Sequence, residues 1–159
     1  LLLYPESGQD LHEAGRQALI HAHQRPKPRL DVLAHLWNSG GTSRVAGMDS
    51  SDGLADAVVQ ICRCSSVGAE VERDTIPIHP SLYKLVSSEQ ALEWALYGGE
   101  DFELVLCLPE QPAQALIERL GEGAAIIGKI TYEPTIQLID SSGVYSQRML
   151  TLIEGFQHF

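Results

Sequence analysis

Two short stretches carry the side chains best suited to chemistry. In Met48-Asp49-Ser50-Ser51-Asp52-Gly53-Leu54, two carboxylates and two hydroxyls fall where a strand gives way to a helix. The first amides of a helix have no partner within it, so they point at whatever binds there, and a phosphate suits them. Mg2+ prefers a few carboxylates, several waters and phosphate oxygens, which makes Asp49 and Asp52 candidate metal ligands. Ser51 is placed to donate to a phosphate. The same spacing also fits a plain helix cap by Ser51 or Asp52, with Gly53 easing the turn.

The second stretch is Tyr97-Gly98-Gly99-Glu100-Asp101-Phe102-Glu103. Paired glycines let the backbone turn sharply and approach a ligand, and two acids follow at the start of a strand. Glu100 is expected to point outward. Read without a ligand, Gly98-Gly99 is a helix stop and the acids are a solvated strand entrance.

Other candidates carry less. His21 and His23 cannot share a helical face, because metal-binding pairs on a helix sit four apart. Arg25, Lys27 and Arg29 form a basic cluster in an acidic chain, fit either to meet a phosphate or to pair with acidic neighbours across a domain boundary, the second being favoured. Phe156 and Phe159 place two aromatics at a terminus, which implies burial or a stacked ligand. No Walker loop, Gly-x-Ser-x-Gly elbow or His-Glu-x-x-His motif is present, so catalysis would have to come from dispersed acids, and no single catalytic residue stands out.

The elements that must position these residues can be read from spacing. Helical periodicity covers residues 10–23, 30–38, 51–64, 88–96 and 111–120, with Ser88 as the expected cap of the fourth. A helical turn is expected over 81–86. Strand patterns cover 44–48, 69–73, 102–108, 124–130, 135–140 and 145–150, while Pro77 and Pro80 keep 76–80 out of a central strand. Strands and helices mix without strict alternation, which predicts an α+β layered domain with a mixed sheet covered by helices.

The chain has 159 residues, 44% of them hydrophobic, enough for one domain with its own core. Its formal charge of −10 argues against binding nucleic acid or an anionic membrane, both of which need basic surface. No apolar run approaches the roughly 20 residues needed to cross a bilayer, and Leu1-Leu2-Leu3 lacks the length and basic flank of a signal peptide. The chain therefore reads as cytoplasmic. Cys62, Cys64 and Cys107 read as reduced, largely buried thiols. The start at Leu1, without methionine, suggests a piece of a longer protein.

Taken in order, Gln24-Arg25-Pro26-Lys27-Pro28-Arg29, the two stretches above, Ile127-Gly128-Lys129-Ile130 and Gly155-Phe156-Gln157-His158-Phe159 resemble the thiamine-monophosphate kinases. The Gly-Gly-Glu-Asp segment with its following aromatic and Glu-Leu is the most discriminating piece. The resemblance implies the carboxyl-terminal domain of an ATP- and Mg2+-dependent kinase that converts thiamine monophosphate to thiamine diphosphate, with a fold like that of aminoimidazole-ribonucleotide synthetase. By position it implies Asp49 and Asp52 as magnesium ligands, Ser51 as an ATP contact, and Glu100 and Phe156 as thiamine-monophosphate contacts. Residues 1–159 would then be one substrate- and ATP-binding domain, with 1–28 as a leading helix and entry segment. An amino-terminal domain, absent here, would supply further metal ligands, most of the ATP site and the dimer interface, so the isolated chain is expected to be inactive. Ser50 and Phe102 depart from the isoleucine and tyrosine usual in the family. Rival readings are another ATP-dependent enzyme of the same superfamily, or a non-catalytic binding module.

Overall fold

The computed structural model describes residues 8–38 and 44–152. Helices α1 (Glu13–Gln24) and α2 (Asp31–Asn38) lead into strand β1 (Ala46–Asp49), helix α3 (Leu54–Ser65) and strand β2 (Gly68–Glu72). Helix α4 (Ser88–Tyr97), strand β3 (Leu104–Cys107), helix α5 (Glu110–Leu120) and strands β4 (Gly128–Thr131), β5 (Ile136–Ile139) and β6 (Arg148–Met149) follow. Short 3-10 turns at Arg73–Thr75 and Leu82–Lys84 join β2 to α4, the second within the turn expected over 81–86.

The strands form two sheets. β1 and β3 pair antiparallel, with Asp49 opposite Leu104. The other sheet runs β4-β2-β5-β6, and it is mixed: β2 and β5 are parallel, while β4 and β6 are antiparallel to their neighbours. This is the expected α+β arrangement, with the strands divided between two sheets.

Period-two patterning builds the main core. Ala69 and Val71 of β2 and Ile136 and Leu138 of β5 turn inward onto Ala55, Val58, Val59 and Cys62 of α3 and Leu92 and Leu96 of α4. Leu96 and Ala55 have no solvent exposure, so the α3–α4 contact that underlies both candidate stretches is dry. A smaller cluster joins Val32 and Leu36 of α2 to Leu116 of α5, with Leu106 and Leu108 packed against it. It fixes α2, and therefore the residues just before it, relative to β3. No helix among the described residues is long and apolar enough to cross a membrane.

Several boundaries differ from expectation for local reasons. Neither Ser51 nor Asp52 caps α3; the cap position is Gly53, at φ 108° and ψ 157°, with no side-chain bond to the helix. Ser87, not Ser88, caps α4, its hydroxyl accepting from the Gln90 amide at 3.3 Å. The strand expected from 102 starts at Leu104, because Phe102 is left-handed at φ 53°. β6 is cut to two residues because the Tyr145 amide turns back to Asp140 Oδ2 at 2.7 Å. Cys64 is exposed, Cys107 half-buried and Cys62 buried, so the thiols are less uniformly hidden than expected; all three are free.

Candidate functional site

The fold brings the two candidate stretches into one corner. β1 ends at Asp49, and the bonding to β3 continues one step further: the Ser50 amide donates to the Glu103 carbonyl at 2.8 Å. One turn later the Glu100 amide donates to the Ser51 carbonyl at 2.6 Å. The loop before α3 and the loop after α4 are therefore laced together through their backbones.

Gly53 explains why they can approach so closely. Its φ of 108° is strained for any residue with a Cβ, and a Cβ there would lie 2.9 Å from the Leu96 carbonyl oxygen and 3.2 Å from Tyr97 Cα. Gly98 is equally crowded: its Cβ would sit 2.4 Å from the Trp94 carbonyl oxygen. It ends α4 in an extended conformation, φ −68° and ψ 128°, and not through the left-handed cap common to helix-ending glycines.

The first stretch sets its carboxylates and hydroxyls just ahead of the Gly53 cap position. Asp49 is exposed and Ser51 and Asp52 are half-buried. The Ser51 hydroxyl donates to Asp49 Oδ1 at 3.2 Å, which orients that carboxylate. Two carboxylates and a hydroxyl at the head of a twelve-residue helix are the oxygen-rich donor set a hard divalent cation accepts. Among the described residues no third His, Cys, Asp or Glu joins Asp49 and Asp52 in a group tight enough to share one ion.

Glu100 is exposed, as expected, and sits in the left-handed region at φ 67°. Phe102 does the same two residues later and is 40% exposed. Each such residue costs about 1–2 kcal/mol in the absence of glycine. Between them, burial by surrounding protein and then the Glu103 charge push the Asp101 carboxyl above its usual range, although solvent still reaches the residue and limits the rise.

Glu103 is tied down twice. Its backbone is held by Ser50, only 3% exposed, whose hydroxyl accepts from the Glu103 amide at 3.2 Å and donates to the Glu103 carbonyl at 3.3 Å. Its carboxylate takes a hydrogen bond from Arg29 Nη1. The other arms of Arg29 reach the two oxygens of Asp31, each at 3.2 Å. Hydrogen bonding to Asp31 raises the Arg29 pKa, and the same bond lowers that of Asp31. Of the basic cluster, Arg29 thus pairs with acidic neighbours as expected, but with partners in this chain and not across a domain boundary, while Arg25 and Lys27 are exposed. Lys27, Pro28, Arg29, Asp31 and Glu103 line an open cleft of about 560 Å³ against this corner.

His21 and His23 lie on the exposed surface of α1, which buries none of its residues. Phe156 lies outside the described residues. One acidic group was not legible in the sequence: Glu72, Asp74 and Asp140 hold carboxylate oxygens within 4.8 Å of one another at the carboxyl ends of the parallel strands β2 and β5. Only the strand register unites them. Local turns already use two of them, Glu72 accepting from Ser141 and Asp140 from Ser142 and Tyr145.

The chain is 53% identical over 152 residues to thiamine-monophosphate kinase of Synechococcus elongatus, a match covering 94% of this chain and 44% of that protein. In structure it resembles thiamine-monophosphate kinase of Stenotrophomonas maltophilia K279a, with TM-score 0.68 and 28% identity over 79% of this chain and 40% of the other. It also resembles AaThiL complexed with AMPPCP and TMP, with TM-score 0.64 and 27% identity over 86% of this chain and 41% of the other. The chain thus spans less than half the length of these relatives. Residues 6–141 match the family described as "AIR synthase related protein, C-terminal domain", and the chain belongs to that family.

Proposed function

We propose that this chain is the carboxyl-terminal part of a cytoplasmic thiamine-monophosphate kinase, which transfers phosphate from ATP to thiamine monophosphate to give thiamine diphosphate. The observation that carries the reading is the 2.6 Å bond from the Glu100 amide to the Ser51 carbonyl, which sets the aspartate-serine corner beside the Gly-Gly-Glu-Asp corner. In a relative complexed with AMPPCP and TMP, nucleotide and substrate occupy one protein, and two adjoining corners of different chemistry suit two such ligands.

In this reading Asp49 and Asp52 hold Mg2+, Ser51 contacts ATP, and Glu100 and Phe156 contact thiamine monophosphate. Bound Mg2+ neutralises phosphate charge. The protein's part is positioning. Ser51 orients Asp49, the first amides of α3 offer partners to phosphate oxygens, and the exposed Glu100 carboxylate attracts the cationic ring of the substrate. The remaining length of the relatives would provide further metal ligands, most of the ATP site and the dimer contact. Phosphoryl transfer rests on in-line placement and charge neutralisation, so this chain alone would give almost no turnover.

The test is a hybrid in which this chain replaces its matching segment in the Synechococcus elongatus kinase, assayed for thiamine diphosphate formed from ATP and thiamine monophosphate. Turnover in the hybrid, with none from the isolated chain, is expected. A folded hybrid that makes no thiamine diphosphate would overturn the reading.

A further inference from the structure

The turn carrying Glu100 is an unfavourable piece of backbone. Glu100 and Phe102 are both left-handed, and neither is glycine. Such residues persist only when their surroundings hold them. At the amino end the hold is the Glu100 amide on the Ser51 carbonyl. At the carboxyl end it is Glu103, whose backbone is gripped on both polar groups by the buried Ser50 hydroxyl and whose carboxylate is gripped by Arg29.

Each grip comes from a distant part of the chain. Arg29 is fixed in turn by its two bonds to Asp31 at the head of α2, and its side chain is only 26% exposed. Ser50 sits directly between Asp49 and Ser51, so one backbone segment carries both the candidate metal ligand and the clasp.

We propose that Ser50 and Arg29 are positioning residues, which hold the Glu100–Phe102 turn from its Glu103 end and thereby set where the Glu100 carboxylate meets the substrate. This rests on the assignment of Glu100 to thiamine monophosphate. Neither residue touches the substrate; both act through Glu103. Loss of the hold lets the turn relax toward ordinary backbone angles and carries Glu100 away from its place beside Ser51.

Two measurements test this with Ser50→Ala, Ser50→Thr and Arg29→Gln. The first is amide hydrogen exchange in the 159-residue chain, which needs no substrate. Ser50→Ala and Arg29→Gln should speed exchange at Glu100 about five- to tenfold beyond any change at Ala69, whose amide bonds to Thr135 in the other sheet. Ser50→Thr, which keeps the hydroxyl, should restore protection. The second is steady-state kinetics of the hybrid kinase: KM for thiamine monophosphate should rise about five- to tenfold while KM for ATP stays within about twofold.

Unchanged Glu100 exchange in both Ser50→Ala and Arg29→Gln would overturn the proposal, as would equal rises in the two KM values. An unsubstituted hybrid without kinase activity would instead count against the assignment of Glu100, and the exchange data would still decide whether the clasp holds the turn. Should Ser50→Ala fail to fold, Arg29→Gln, altered at a partly exposed side chain, decides alone.

Discussion

The Glu100 amide and the Ser51 carbonyl oxygen meet at 2.6 Å, although the residues belong to loops on either side of two packed helices. That bond makes one corner of two sequence motifs. It exists because α3 and α4 pack without a gap and because Gly53 lets their loops touch.

Gly53→Ala should therefore be costly. The added Cβ meets backbone, which cannot swing aside, at a φ of 108°. A loss of about 3 kcal/mol is expected from the forbidden backbone region alone. Urea unfolding of the chain should show it as a lower midpoint.

Leu96→Ala tests the packing beneath the corner. Leu96 is fully buried between α4 and the core, and removing its side chain should cost about 3 kcal/mol through lost burial and the cavity left behind. If the corner depends on this contact, exchange at Glu100 should quicken along with the global loss.

Asp101 gives a pH signature. Partial burial and then the Glu103 charge hold its carboxyl above the usual carboxylate range. A raised carboxyl stabilises the fold relative to its ionised form, so this contribution is complete below the unfolded pKa and is lost as pH rises through the folded one. Asp101→Asn should raise Tm at pH 7 and leave it nearly unchanged at pH 3. A fall in Tm at pH 7 would contradict this account of Asp101.

The thiols separate by burial. Cys64 is exposed while Cys62 is buried, and burial raises the Cys62 and Cys107 thiols. A disulfide reagent at pH 8 should modify Cys64 first and reach Cys62 only on unfolding, as peptide mass mapping would show.

How far the sequence could be read followed the range of the interactions involved. Both corners were legible because hydroxyl, carboxylate and glycine patterns act locally, and the helices because their apolar stripes are strong. The division of the strands into two sheets was not legible, since it depends on the pairing of Asp49 with Leu104 and of Ala69 with both Ile130 and Ile136, each distant in sequence. The cap of α3 was misread because Ser51 and Asp52 suit a cap by type, while the tight approach of Leu96 requires glycine in that place. The role of Arg29 needed the fold, because Glu103 is far along the chain and only the packing of α2 against α5 and β3 brings them together.

The central claim is that one corner serves two ligands through different side chains. The most direct measurement is steady-state thiamine diphosphate formation by the hybrid kinase carrying Asp49→Asn or Glu100→Gln, over ranges of Mg2+, ATP and thiamine monophosphate. The account predicts that Asp49→Asn lowers kcat at least about a hundredfold and raises the Mg2+ requirement, consistent with loss of charge stabilisation. Glu100→Gln should mainly raise KM for thiamine monophosphate. Full activity in Asp49→Asn at low Mg2+, or a Glu100→Gln enzyme with unaltered KM for thiamine monophosphate, would contradict it.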